Sequence, residues 1–299
     1  MPRWVGIGLL LLIAVMFGSN HIAARIAFDH GTSVVTAVAL RSTGTALGTL
    51  ALLRLHGITL RLPAATVGRA LAIGLVLSFQ SYCLYSAVAR IPVALALLVF
   101  NTFPMQLALI SWAAGGERPA RRAVVAIPIA LLGLAFALDV AGLAPGTPVQ
   151  GSAFAARWDA LAAGVGFAAA GAFAFALVLY LTTRWLGAVD GRLRSCLLMA
   201  TVAVTVSAIG AATDAFALPA DGAGWIGLLL LTVLYGSGIT ALFVVLPRLG
   251  AVNNAAVMNF EPIAVLFLAW PILGQPVAAI QVVGAMLVVG AVVLIGTGR

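Results

Sequence analysis

Apolar residues run along this chain in long blocks, broken at intervals by Arg, Pro, Gly and Asp. The blocks predict ten helices, at 4–28, 33–53, 68–89, 92–113, 122–141, 158–183, 193–213, 224–246, 252–272 and 276–297. Most approach the roughly 20 residues that a helix needs to cross about 30 Å of hydrocarbon. The intervening loops are short. The longest, 142–157, is rich in Pro, Gly and Thr and lies at the middle of the chain. It reads as a periplasmic linker between a first unit, 1–141, and a second, 158–299.

Composition agrees with this pattern. Of 299 residues, 63% are hydrophobic and 8% charged, and the mean hydropathy is +1.17. A water-soluble domain carries about 25% charged residues to cover its surface. Disorder, collagen, coiled coil and a disulfide scaffold are excluded. The predicted class is an all-α polytopic membrane protein of ten transmembrane helices.

The net charge of +8 comes from sixteen Arg, with no Lys, against eight acids. The Arg residues sit singly between apolar runs, so the charge describes topology rather than a nucleic-acid surface. With both termini inside, Arg3, Arg54, Arg61, Arg69, Arg118, Arg121, Arg122, Arg184, Arg192, Arg194, Arg248 and Arg299 fall on the inner face. Only Arg25, Arg90 and Arg157 fall outside, and Arg41 lies within the second helix. Asp29, Asp139, Asp159, Asp214 and Asp221 come at outer ends. This bias predicts cytoplasmic termini and an even number of spans in a bacterial inner membrane. All six Trp lie near predicted helix ends, as an interfacial belt requires. The run Trp4 to Ala24 is longer than a signal-peptide core and contains Asn20 and His21, so it reads as a retained first helix. Cys83 and Cys196 both lie in apolar runs and form neither a disulfide framework nor a metal spacing.

The chain also repeats itself at an offset of 158 residues. Arg90 matches Arg248, Asn101 matches Asn259, Pro104 matches Pro262, Trp112 matches Trp270 and Gly116 matches Gly274, while Glu117 aligns with Gln275. Arg, Asn, Pro and Trp are scarce here, so coincident matches are improbable. Five helices per copy is an odd number, and the second copy therefore enters the membrane inverted. Inverted repeats are a signature of secondary transporters, whose halves rock about a midplane site.

Several motifs carry a family likeness. Tyr85 to Arg90, on through Pro104 and then Gly116 to Pro119, resembles the EamA domain of the drug/metabolite transporter superfamily. Phe243 to Pro262, then Gly274-Gln275-Pro276 to Gly290, is similar to the closing helices of the same domain. Phe17-Gly18-Ser19-Asn20 resembles that family's Trp-Gly-Ser-Asn, and Ala39-Leu40-Arg41 resembles its Leu-Arg-Phe. Gln275 stands where the family has Glu. The resemblance implies ten helices and export or exchange of small metabolites, often amino acids.

Polar residues inside apolar runs are the candidate chemistry, because hydrocarbon leaves an unpaired polar group unsolvated. Asn20 and His21 lie mid-run in the first helix and fit either a cavity wall or an interhelical hydrogen bond. Arg41 holds an anionic substrate group, snorkels toward the outer interface or caps a neighbouring helix end. In the third helix Gln80 and Tyr82, with Ser78, Ser81 and Tyr85 nearby, face Tyr235-Gly236-Ser237-Gly238 of the eighth as paired cavity walls or close-packed surfaces. Gly236 and Gly238 are candidate flexible positions there. The repeated Asn-x-x-Pro, Asn101 to Pro104 and Asn259 to Pro262, predicts two kinked helices with loosened carbonyls at Phe100 and Met258. Such helices serve as a ligand site or only shape the bundle. Glu261 is the one acid in the middle of a predicted helix, and three roles stay open: proton coupling, recognition of a substrate ammonium, or a structural hydrogen bond.

These observations favour a secondary transporter of small metabolites, amino acids first, working by alternating access. Exporters of drugs, sugars or nucleotide sugars are the alternative. A membrane enzyme or a channel is less favoured: there is no clustered set of catalytic residues, no nucleotide motif and no charged ring. The expected partners are a small solute and the lipid bilayer, with no nucleic acid, metal or cofactor, for a monomer or weak dimer.

Overall fold

A computed structural model describes residues 3–59, 61–116, 121–139, 151–249, 260–275 and 278–296. Among these residues the chain forms eleven helices and no strand. They are α1 (Arg3–Asp29), α2 (Val34–Leu55), α3 (Ala64–Arg90), α4 (Val93–Phe100), α5 (Phe103–Ala113), α6 (Arg121–Ala137), α7 (Gly151–Leu186), α8 (Gly191–Ala212), α9 (Gly222–Leu249), α10 (Glu261–Leu273) and α11 (Ala279–Gly296).

Seven segments are long and apolar enough to cross a membrane, one of them, Val93–Ala113, made of α4 and α5 together. Shorter apolar stretches at Pro128–Ala137, Ala264–Leu273 and Ala279–Ala291 fall within the fifth, ninth and tenth predicted helices. Along α3 the exposed large side chains Leu71, Leu75, Phe79 and Tyr82 recur at helical spacing. They form one stripe of apolar surface, the side that lipid would cover, while the opposite face is buried.

Two expectations are corrected. The predicted helix 92–113 is two helices, broken at Asn101-Thr102. Pro104 has no N–H for Phe100 to accept, so α4 stops at Phe100 and Pro104 enters the first turn of α5. Asn101 closes the break, its Nδ2 donating to the Leu97 carbonyl at 2.8 Å. The sixth predicted helix starts earlier than 158, at Gly151 inside the presumed linker.

Helix ends are fixed by polar caps. Ser33 Oγ accepts from the Thr36 N–H at 3.1 Å at the start of α2, and Asp190 Oδ1 accepts from the Arg192 N–H at 2.8 Å before α8. Each such cap contributes about 0.5–2 kcal/mol. Arg25 of α1 donates to the Val88 and Ala89 carbonyls at 3.1 and 3.3 Å, satisfying the last turn of α3. Asp221 accepts from the Gly224 N–H at 3.0 Å and pairs with His30 Nδ1 at 2.6 Å, tying the loop before α9 to the α1–α2 turn.

The packing partners are distant in sequence. α1 lies chiefly against α9, α2 against α8, α3 against α7 and α6 against α11. Each pair is antiparallel. Gly224, Gly227 and Gly238 of α9 face His30, Ala23 with Ala27, and Phe17 of α1 in that order. Gly164 and Gly171 of α7 face Ile91 at the end of α3 and then Leu84. Between α6 and α11 the backbones nearly touch: a Cβ on Gly284 would lie 2.3 Å from the Ala137 nitrogen and 2.5 Å from the Gly133 oxygen. Small residues at such crossings allow dense packing where lipid supplies no hydrophobic drive. At the centre α4 is buried from Val93 through Val99, as a helix apolar on all sides must be.

Candidate functional site

Five helices bring polar side chains to one buried cluster. α1 contributes Asn20 and His21, α2 contributes Arg41, α3 contributes Ser81 and Tyr85, α9 contributes Tyr235, and α10 contributes Glu261. Asn20, His21, Arg41, Ser81 and Tyr85 are all buried.

Tyr85 is the hub. Its hydroxyl accepts from Arg41 Nη1 at 3.2 Å and donates to Asn20 Oδ1 at 2.7 Å. Asn20 Nδ2 in turn donates to the Phe17 carbonyl of its own helix, which fixes the amide's orientation. Arg41 Nη2 donates to Ser81 Oγ at 3.2 Å. The Arg41 guanidinium also lies over two aromatic rings, 4.9 Å from the centroid of Tyr85 and 3.9 Å from that of Tyr235. Each contact of this kind contributes about 0.5–2 kcal/mol, more when desolvated. Rings and hydroxyls thus replace the water that Arg41 has lost.

On the other side of Tyr85 lies the titratable pair. The His21 and Tyr85 rings are 5.5 Å apart, and His21 Nε2 is 3.4 Å from Glu261 Oε1. The Glu261 side chain is 21% exposed and that of His21 8%. The cluster therefore grades from an accessible carboxylate to a closed guanidinium. Among the described residues, three buried polar atoms in and beside it lack a partner: His21 Nδ1, Arg41 Nε and Ser42 Oγ. Buried polar groups are rarely left so, and they mark places where a further partner fits.

The sequence candidates divide on this geometry. Asn20, His21, Tyr235 and Glu261 come together. Gln80 is buried next to the cluster and its Oε1 accepts from Ser81 Oγ at 3.4 Å. Tyr82 is 40% exposed on the outer stripe of α3, its ring against Phe167 6.2 Å away. Asn101 and Pro104 shape the break between α4 and α5 and make no described contact with the cluster. Asn259 lies outside the described residues. Pro262 occupies the first turn of α10, the position equivalent to Pro104 in α5, so both repeats start a helix at the same place. Gly236 approaches Thr45 of α2, and Gly238 approaches the Phe17 ring of α1; both stand where α9 packs closely. Glu261 is in the first turn of α10, where a carboxylate faces the positive end of the helix dipole.

Ser81 and Tyr85 carry more of the cluster than Gln80 and Tyr82. The signal was in the spacing: Tyr82 continues the Leu71, Leu75, Phe79 series, whereas Ser81 and Tyr85 stand four apart on the other face.

Comparison with known proteins bears on this architecture. The EamA-like transporter family matches the chain twice, over residues 4–138 and 162–297. The two matches begin 158 residues apart, the offset of the sequence repeat. Fourteen solved chains match; one of them, described only as a crystal structure of a protein, aligns with a TM-score of 0.64 at 19% identity. That alignment covers 96% of this chain and 95% of the other, and it speaks to the fold. No curated protein matches the chain.

Proposed function

The chain belongs to the EamA-like transporter family, and on that premise we propose that it is a secondary transporter of small metabolites, amino acids first, in the bacterial inner membrane. One observation carries this reading: a single buried cluster draws Asn20, His21, Arg41 and Tyr85 from the first repeat and Tyr235 and Glu261 from the second. A site split between two repeats changes shape when they move against each other, which is what alternating access requires.

The antiparallel pairing of α1 with α9 and of α3 with α7 supports an inverted relation between the repeats. In this reading the repeats contribute five spans each and are joined on the periplasmic side by the segment between α6 and α7. Both termini are cytoplasmic, and the working unit is a monomer or weak dimer. Glu261, with His21 as its neighbour, is the candidate proton carrier; the Asn-x-x-Pro breaks and Gly236 with Gly238 are the candidate flexing points. Asn101, Gln80 and Tyr82 stay secondary candidates, because the described contacts draw none of them onto Tyr85, and Asn259 stays a candidate on the sequence repeat alone.

The test is counterflow in liposomes holding the purified chain, with a panel of amino acids, polyamines and sugars at two pH values. Saturable exchange of amino acids is expected. Folded protein that moves no solute of the panel would overturn the reading, and flux that never saturates would favour a channel.

A further inference from the structure

Among the described residues Arg41 is a cation without a counter-ion. It is 3% exposed, and among the described residues it has no carboxylate within salt-bridge distance. It begins about 10 Å along α2, at about 1.5 Å per residue, well inside the apolar span. A charged side chain at such depth normally faces a partner of opposite sign or water.

The guanidinium has five N–H donors. Nη1 serves Tyr85, Nη2 serves Ser81, and Nε has no hydrogen-bond partner among the described residues. The rings of Tyr85 and Tyr235 solvate the charge without cancelling it. Nε–H together with the neighbouring Nη is the fork that takes a carboxylate through two parallel hydrogen bonds. From these contacts we infer that Arg41 is a carboxylate-binding subsite, and that the transported molecule is a monocarboxylate.

The surroundings narrow the ligand further. Arg41 and His21 both lie against the Tyr85 ring, and His21 has Glu261 at 3.4 Å. The carboxylate of Glu261 belongs to the same cluster and is available to the other end of a molecule held at Arg41, which suits an ammonium or a hydroxyl. A dianionic phosphate would meet one guanidinium and a carboxylate, a poor charge balance. Neutral sugars and polyamines would leave Arg41 uncompensated. Arg41 is closed off in this conformation, so the carboxylate reaches it when the bundle opens at Tyr235 and Glu261, both partly exposed.

This inference rests on the transporter reading, and the experiment separates the two. The full chain in liposomes is challenged with two matched sets: L-leucine, L-leucinamide and 4-methylpentanoate, then L-phenylalanine, L-phenylalaninamide and 3-phenylpropionate. Exchange of the radiolabelled amino acid is competed by the other members, and the same compounds are scored for thermal protection of the detergent-purified protein. Both acids should compete, and each amide should be weaker by about 10- to 100-fold, the loss expected for a charge-assisted hydrogen-bonded pair. Arg41→Lys should keep the preference for acid over amide with weaker binding, and Arg41→Gln should erase it. Equal competition by acid and amide in the unaltered protein, which needs no variant to fold, overturns the subsite. So does an Arg41→Gln variant that keeps the preference. Exchange of polyamines or sugars but of neither set overturns the subsite and leaves the transporter reading standing. Folded protein that exchanges nothing overturns the transporter reading itself.

Discussion

His21 Nε2 and Glu261 Oε1 lie 3.4 Å apart, although one belongs to α1 and the other to α10, 240 residues further along the chain. This contact joins α1 to α10 beside Tyr85, and with them the two repeats. Glu261→Gln keeps the shape and removes the carboxylate. The variant should transport with a flat pH profile where the unaltered protein shows a pH dependence. An unchanged profile in counterflow measurements would exclude Glu261 as the coupling group.

Tyr85 and Tyr235 both flank Arg41, yet their hydroxyls are not equivalent. The Tyr85 hydroxyl holds Arg41 and Asn20, whereas that of Tyr235 has Met199 Sδ at 3.9 Å, a weak acceptor. Tyr85→Phe orphans two buried partners and should cost about 1–3 kcal/mol. Tyr235→Phe keeps the ring under Arg41 and should cost under about 1 kcal/mol. Chemical unfolding in detergent reads both, and equal losses would refute the assignment of Tyr85 as the hub.

Gly284 and Gly290 offer a matched pair on α11. An added Cβ at Gly284 meets the backbone of α6 at 2.3 Å, while at Gly290 it meets nothing within 4 Å. Gly284→Ala should destabilise the bundle by about 1–3 kcal/mol through overpacking. Gly290→Ala should be neutral or stabilise by up to about 1 kcal/mol, since alanine favours the helix. Melting temperatures of the two variants decide the matter.

At the loop before α9, the Gly224 N–H and then the His30 side chain hold the Asp221 carboxyl below the usual carboxylate range. The folded state thus favours the ionised form, and its contribution to stability is present above the unfolded pKa of about 4. It is lost as pH falls through the lower, folded value. Asp221→Asn should therefore melt below the unaltered protein at neutral pH, with the two curves converging in acid below about pH 4. The group is exposed, so added salt should shrink the difference.

Much of the bundle is legible in the sequence because hydrocarbon imposes one rule on every span. Apolar runs must be helical, and their ends show as Arg, Pro, Gly and Asp. Less legible is what one helix does to another. The break at Asn101-Thr102 needed only the knowledge that Pro104 prefers a first turn to an interior. Arg41 is different: sequence leaves it between anion binding and snorkelling, and only the neighbouring Tyr85, Ser81 and Tyr235 show that it turns inward. Tyr82 was misleading because aromatic residues suit a lipid-facing stripe as well as a cavity. Gly151–Leu186 extends past its expected start because Gly and Ser suggest a loop unless a helix beyond recruits them.

The interleaved pairing also bears on how the chain is made. α1, α2, α3 and α6 each have their main neighbour beyond residue 150. A ribosome that has synthesised the first five predicted helices has therefore delivered them without the surfaces they pack against. Those spans must wait in the lipid, their small-residue faces uncovered, until α7 to α11 follow. Assembly is then late and all at once, and two fragments cut between 139 and 151 should be unstable singly yet recombine when produced together in one membrane.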